Sequence, residues 1–140
     1  MTALAATRLA ALILSLAMAG GAAAASVRPG LEAEADINNG LLVLAVADMI
    51  RNQCPDIRAR FFRAYLYVND LEARARARGY SREEIDGYIK DPTQRARMWQ
   101  RRDAWIKAQG ADIRDPASLC TLGHGEIARG SQIGRLLKAK

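Results

Sequence analysis

The helical pattern is clearest in residues 56–79, DIRARFFRAYLYVNDLEARARARG, and this stretch decides the fold class. Apolar residues recur in it three and four positions apart, the spacing that places side chains along one face of an α-helix. They are Ile57, Phe61, Ala64, Tyr65, Val68, Leu71 and Ala75. Gly79 follows, and helices commonly end in a left-handed glycine. The pattern therefore predicts a helix over residues 56–78.

A second apolar pattern lies before this helix, from about Asn39 to Gln53. Its apolar residues cover more than one face, which predicts a helix that is buried on most sides. Cys54-Pro55 ends it, because the residue before a proline is pushed out of the helical region.

Polar residues mark the starts of further helices after Gly79. Ser81–Glu84 (SREE) is a capping box. Asp91-Pro92 and Asp115-Pro116 each place an N-cap carboxylate before a proline at the first helical position. No segment shows the alternation of a strand. The sequence thus predicts an all-α fold, with a single small helical domain of about five helices over residues 38–140.

The N-terminus has the pattern of a cleaved secretory signal peptide over residues 1–25. Arg8 precedes a short apolar run, and small residues, Ala23 and Ala25, occupy the two positions that a signal peptidase reads. Residues 26–37 are predicted to be a flexible lead-in. The composition, rich in Ala and Arg, favours a bacterial source, so we expect export to the periplasm. We expect no stable membrane insertion after signal cleavage, because no later apolar run approaches the length of a membrane span.

Export makes Cys54 and Cys120 a candidate structural disulfide. The bridge would close a loop of about 65 residues, worth roughly 4 kcal/mol in the loop-entropy model. The alternatives are two free buried thiols or a redox pair. The spacing is unlike the C-x-x-C of catalytic redox pairs, so the structural disulfide is the preferred interpretation.

Basic residues are frequent in the predicted helix over residues 56–78. Removal of the signal peptide lowers the net charge of the chain only from +6 to +5. A basic helix with aromatics invites a nucleic-acid interpretation. Export argues against it, and so do acidic residues four positions from many of these arginines, as in Asp56–Arg60, Asp70–Arg74 and Glu72–Arg76. We therefore expect a solvated helix surface and no nucleic-acid partner. An anionic surface, lipid headgroups or an acidic protein, is the better target for the charge.

Two sets of residues are candidates for chemistry or binding. His124 and Glu126 could form the acid–base pair of a hydrolase, although packing or capping is the preferred role for this lone histidine. Trp99, Arg102 and Trp105 could line a ligand pocket, although packing in the core is the preferred role for both tryptophans. Arg102 could also pair with Asp48, although a helix-edge charge that reaches water is the preferred interpretation of each. The sequence has no cluster of metal ligands and no cofactor motif, so neither a metal nor a cofactor is predicted.

The chain resembles a small alphaproteobacterial family of exported helical proteins, classed as a domain of unknown function. The motifs that carry the resemblance are Cys54-Pro55, Gly79-Tyr80, Cys120, Glu126-Ile127 and the C-terminal SQIGRLL, whose Ile133–Leu137 is its core. The resemblance covers most of the chain after the signal peptide. It implies a signal peptide, a helical domain with paired cysteines, and no assigned activity, so no catalytic or binding residues carry over.

The preferred functional hypothesis is a protein-interaction or accessory module that binds another envelope protein. Its contacts are expected among Trp99, Arg102, Trp105, His124 and Glu126. The alternative is a small-ligand-binding protein with a pocket near Trp99, Arg102 and Trp105, and a hydrolase is the third hypothesis. Homo-oligomerisation is left open.

Overall fold

The computed structural model describes residues 28–140, so the predicted signal peptide and the start of the lead-in lie outside the described residues. Within that range the helices are α1 (Ala35–Gln53), α2 (Phe61–Ala77), α3 (Arg82–Lys90), α4 (Pro92–Ala108), α5 (Pro116–Arg129) and α6 (Gln132–Arg135), after a 3-10 helix at Leu31–Ala33. Two short strands, β1 (Ile57–Ala59) and β2 (Leu137–Ala139), pair antiparallel. The predicted all-α, disulfide-linked domain is confirmed, with one helix more than the expected number and a very small sheet added.

The first long helix, α1, lies at the centre of the fold and contributes to two hydrophobic clusters. Its second half buries Val46, Ala47 and Ile50 against α4, α5, α6 and β1. The other buried members of this main core are Cys54, Ile57, Ile106, Leu119, Leu122, Ile133, Leu136 and Leu137. Near its start, Ile37 joins a smaller cluster, whose other members are Leu31, Ala75, Tyr80 and Ile85. Because α1 is enclosed along most of its length, it needs the wide apolar pattern that the sequence shows.

The segment before α2 is the place where the predicted secondary structure was wrong. Residues 57–59 form β1 instead of the first turn of a helix, and α2 begins at Phe61. Ile57 pairs with Ala139, Arg58 with Lys138 and Ala59 with Leu137. The local pattern fits a helix equally well, and a strand of three residues is stabilised by a partner far along the chain, which periodicity does not reveal.

The predicted caps are confirmed. Ser81 Oγ accepts a hydrogen bond from the Glu84 amide, and the Glu84 carboxylate accepts one from the Ser81 amide, which completes the capping box. Asp91 caps α4 by accepting from the amide of Gln94. Gly79 and Gly130 have φ of +89° and +61°, the left-handed conformation that ends α2 and α5.

Cys54 and Cys120 form the predicted disulfide. It joins the residue that follows α1 to the second turn of α5, across a sequence separation of 66 residues. Cys54 is buried in the main core, so the bridge is part of the packing as well as a covalent link. Because stable disulfides form in oxidising compartments, the bridge points to a location outside the cytoplasm.

The chain from 28 to 37, assigned by sequence to a flexible lead-in, packs against the end of α2 in the structure. The Arg28 guanidinium lies 4.1 Å from the centroid of the Tyr80 ring. Arg78 donates two hydrogen bonds to the carboxylate of Asp36, at 2.7 and 2.8 Å, and they hold the pKa of Asp36 below its usual range. The proline and glycine of this segment look like a linker in sequence, whereas its hydrogen bonds to Arg78 and Tyr80 join residues more than 40 positions apart.

Candidate functional site

A groove between α3 and α4 is the most site-like concave feature that includes a predicted residue. It has a volume of about 200 Å³ and is lined by Leu41, Tyr88, Ile89, Gln94, Arg95, Met98 and Trp99. We call it the Trp99 groove. Trp99 and Ile89 are 47% and 49% exposed, so two large apolar side chains on its rim have no covering partner within residues 28–140.

The groove follows from the sharp corner between its two helices. α3 ends at Lys90, Asp91 caps the next helix, and Pro92 starts α4 at once. This connection sets the end of α3, with Tyr88 and Ile89, beside the first two turns of α4, with Met98 and Trp99. The Asp91-Pro92 signal in the sequence marks this corner, whereas the groove itself also needs Leu41 of α1.

Polar contacts fix both walls of the groove. The Tyr88 hydroxyl donates to Asn38 Oδ1, and the buried Asn38 in turn donates to the backbone oxygens of Leu31 and Glu34. Burial raises the pKa of the Tyr88 hydroxyl above its ordinary value. On the opposite wall, the Arg95 guanidinium lies 5.2 Å from the centroid of the Trp99 ring, a cation–π contact.

Arg102 and Trp105 do not join Trp99 in this groove. Trp105 is half-buried and packs against the main core, and Arg102 Nε donates to Asp103 Oδ1 at 2.7 Å. Asp48, the alternative partner for Arg102, instead binds Arg51 and Asn52. The structure thus assembles a groove around one of the three predicted residues and places the other two elsewhere on α4.

His124 and Glu126 face away from each other. They are two residues apart on α5, which is about 200° around the helix. His124 is exposed, whereas Glu126 is 2% exposed and accepts hydrogen bonds from Arg129 and Ser131 at the turn into α6. Glu126 is thus a buried acceptor for the exposed Arg129 and the half-buried Ser131, and the two candidate side chains are not placed to act as an acid–base pair.

Among the described residues, Cys54, Asp56 and Cys120 bring potential metal-ligand atoms close together. Both sulfur atoms are bonded to each other, and a disulfide sulfur is not the thiolate that binds a metal. The cluster is therefore accounted for by the disulfide.

Sequence reasoning missed an exposed apolar surface on the first half of α2. Its residues, and their exposed fractions, are Phe61 (70%), Phe62 (73%), Tyr65 (61%), Leu66 (51%) and Val68 (43%). We call this surface the α2 face. The available signal was the neighbouring pair Phe62 and Leu66, which extends the apolar stripe beyond what one packed helix face needs.

The expected salt-bridged surface of α2 is present only in part. Asp70 and Arg74 form the predicted pair, at 2.6 Å, in the second half of the helix. Glu72 contacts Arg82 at 3.6 Å, and Arg60 Nε donates to the backbone oxygen of Leu137 at 2.9 Å. The predicted pairs therefore do not cover the first half of α2.

Fold and groove together define a small helical domain with one disulfide and a shallow apolar surface site. Residues 29–138 match DUF5333, a family of unknown function, and the chain belongs to that family. Comparison with curated proteins gives no match, and comparison with solved structures gives none either. No helix in residues 28–140 has both the length and the apolar character needed to cross a membrane.

Proposed function

We propose that this protein is an exported accessory module that binds another envelope protein through the Trp99 groove. The observation that carries the proposal is the lining of the groove, in which Tyr88, Met98, Trp99 and Arg95 surround a concave apolar surface. Aromatic residues, Met and Arg are the types enriched in protein interfaces, and Trp, Tyr and Arg are the most frequent hot spots.

The size of the groove favours a protein over a small ligand. A volume of about 200 Å³ is below the roughly 300–1,000 Å³ of pockets that enclose drug-sized ligands. It suits one or two apolar side chains that project from a larger partner. The small-ligand hypothesis therefore stays as the second candidate, with Trp99 as its reporter.

Charge around the groove indicates what flanks those side chains in the partner. Arg95, Arg97 and Arg101 lie on α4, and within residues 28–140 none has a carboxylate within 4 Å. Exposed basic residues beside an apolar site favour a partner with acidic residues next to its apolar anchor. The disulfide supports an oxidising compartment, and the periplasm is the one that we propose.

A photo-crosslinking amino acid at Ile89, inside the groove, tests the proposal in the native envelope. The control carries it at Ala128, exposed on α5 and outside the groove. We expect one adduct from position 89 and none from position 128. The partner identified from that adduct should then bind purified protein about tenfold or more weakly when Trp99→Ala removes the aromatic anchor.

Phe62→Ala provides the matched control, because Phe62 is an even more exposed aromatic outside the groove. It should leave binding of the partner unchanged. Equal adducts from positions 89 and 128, or equal losses from Trp99→Ala and Phe62→Ala, would rule out the groove as the docking site. Quenching of Trp99 fluorescence by a small apolar compound, without any adduct, would favour the second candidate.

A further inference from the structure

We infer that the α2 face is a peripheral contact with an anionic phospholipid surface. This contact lies outside the Trp99 groove and does not depend on the proposed protein partner.

The α2 face is larger than an ordinary scatter of exposed apolar residues. Phe61, Tyr65 and Val68 follow one side of the helix, and Phe62 with Leu66 follows the adjacent side, so the five side chains are contiguous. Three exposed aromatics alone present an area on the order of 300–500 Å², given the roughly 150–250 Å² of an aromatic side chain. That is as large as the largest apolar patch of a typical monomer, and such patches mark protein or membrane contacts.

The shape of the α2 face favours a soft partner. The nearest hollow has a volume of only about 160 Å³ and lies at the base of Phe61, between it and Leu136. The remainder of the face is the convex surface of a helix about 10 Å long from Phe61 to Val68. A lipid interface adapts to a convex apolar surface, whereas a protein partner needs a groove of matching shape.

The charges beside the α2 face are basic. Arg58 and Lys138 lie opposite each other on the adjoining sheet, and Arg63 lies on the helix itself. Within residues 28–140 none of these three has a carboxylate within 4 Å. Nearby acidic groups offset only part of this positive charge. Asp48 is paired with Arg51, and within residues 28–140 Asp56 is the one exposed carboxylate that lies close to Arg58 in the chain.

The start of α2 adds to this positive potential. Its first turn contains no acidic residue, and its N-cap, Arg60, makes no side-chain cap. The partial positive charge of the helix N-terminus is therefore uncompensated by the side chains that usually balance it. The α2 face thus combines aromatic and leucine side chains with neighbouring arginines and a positive helix end. This composition is typical of helices that lie in the headgroup region of anionic membranes.

The rest of α2 holds this surface in place. Leu71 and Ala75 are buried against α1 and the smaller cluster, and Arg74 pairs with Asp70. The first half of the helix is therefore presented on a folded support. Contact is expected to be shallow and reversible, since about two turns of helix lie in the interface.

Vesicle sedimentation of the mature, disulfide-bonded protein tests the inference. The probes are vesicles of phosphatidylethanolamine with a minority of phosphatidylglycerol, and neutral vesicles of phosphatidylcholine. We expect binding to the anionic vesicles, weakening with added salt, and little binding to the neutral ones. Phe61→Ser with Phe62→Ser should lower the partition coefficient at least tenfold, because two apolar side chains leave the interface.

Charge reversal supplies the matched pair of variants. Arg58→Glu with Arg63→Glu should abolish binding, at about fivefold for each basic residue removed and more for the added acids. Arg97→Glu with Arg101→Glu makes the same change in net charge on α4 and should retain most of the binding. All three double variants alter exposed side chains, and unchanged circular dichroism and thermal midpoints would establish that they fold.

Three outcomes would overturn the inference. The wild type could fail to bind anionic vesicles, or both charge reversals could weaken binding equally, which would reduce the effect to net charge. Light scattering could instead show a dimer that the double Phe variant dissociates, which would assign the α2 face to a second copy of the chain. None of these outcomes bears on the adduct from position 89, so the two proposals fail separately.

Discussion

Removing the Cys54–Cys120 disulfide should lower the free energy of unfolding by about 4 kcal/mol. The bridge closes a loop with a sequence separation of 66 residues. In the loop-entropy model, a loop of that length costs the unfolded chain about 15 cal/mol/K, which corresponds to about 4 kcal/mol at room temperature. A domain of this size has a total stability of about 5–15 kcal/mol, so the loss would leave it marginal.

The assay is urea unfolding followed by circular dichroism, comparing the oxidised wild type with the Cys54→Ala, Cys120→Ala double variant. The wild type treated with a reductant is the control, because it keeps both sulfur atoms and loses only the bond. We expect the reduced protein and the double variant to agree within about 1 kcal/mol, since Cys→Ala leaves only a small cavity. A loss below about 1 kcal/mol in both would refute the entropic argument and imply that the reduced, unfolded chain retains compact structure.

Three further predictions concern the packing of the fold. Glu126→Ala should cost about 2–3 kcal/mol in urea unfolding, because a buried charged acceptor that holds the Ser131 hydroxyl and the Arg129 guanidinium is lost, whereas His124→Ala, at an exposed position two residues away, should stay within about 0.5 kcal/mol; equal effects would contradict the structural role of Glu126. Gly134→Ala should cost about 1–3 kcal/mol, because its Cβ would clash with the backbone oxygen of Glu126 and force α6 away from α5, while Gly87→Ala, with no atom within 4 Å, should stabilise α3 by about 0.5–1 kcal/mol; the opposite order in thermal midpoints would show that the α5–α6 contact is looser than described. Hydrogen bonds from Arg78 lower the pKa of Asp36, and the Ser81 amide is the main cause that lowers the pKa of Glu84. The stability that these two carboxylates contribute is therefore present above their unfolded pKa values of about 4 and is lost as the pH falls through the lower folded values. Urea midpoints measured down that range should decline less steeply in Asp36→Asn than in the wild type, and an unchanged slope would disprove the contribution of Asp36.

The elements that could be predicted from sequence are those with local signals. Ser81 with Glu84, Asp91-Pro92 and Gly79 each specify a helix end through contacts within four or five residues, and all three are present where expected. The disulfide could be predicted because the export that the N-terminal pattern predicts limits the states available to two cysteines. These inferences need no knowledge of tertiary packing.

The features that were missed depend on partners distant in the chain. β1 is a strand because Leu137–Ala139 pairs with it, and residues 28–37 are folded because Arg78 and Tyr80 hold them. The same limit applies to the candidate site. Periodicity places Trp99 and Trp105 on α4, but only the positions of α1 and α3 decide that Trp99 borders a groove and Trp105 packs in the core.

The sequence did not reveal that the α2 face is exposed, because its apolar residues are spaced as regularly as those of a buried helix face. Phe61, Tyr65 and Val68 have the spacing of a buried stripe, and Leu71 and Ala75 continue it into the packed half of the helix. Spacing alone does not distinguish a face that packs within the chain from one that is kept for an external partner. The two halves of α2 are distinguished only in the structure, where other residues in the range 28–140 cover the second half and leave the α2 face exposed.

Both proposed surfaces lie along α1, and their separation allows them to act together. Leu41, near the start of α1, forms part of the Trp99 groove, while Arg51, near its end, lies 5.8 Å from the ring centroid of Phe61 on the α2 face. Ten residues of helix place these positions about 15 Å apart. A lipid surface that covers Phe61 and Phe62 is therefore expected to leave Trp99 free to bind a protein. An accessory module that holds its partner beside the membrane needs two separate surfaces of this kind. We therefore expect vesicle-bound protein to form the same adduct from position 89.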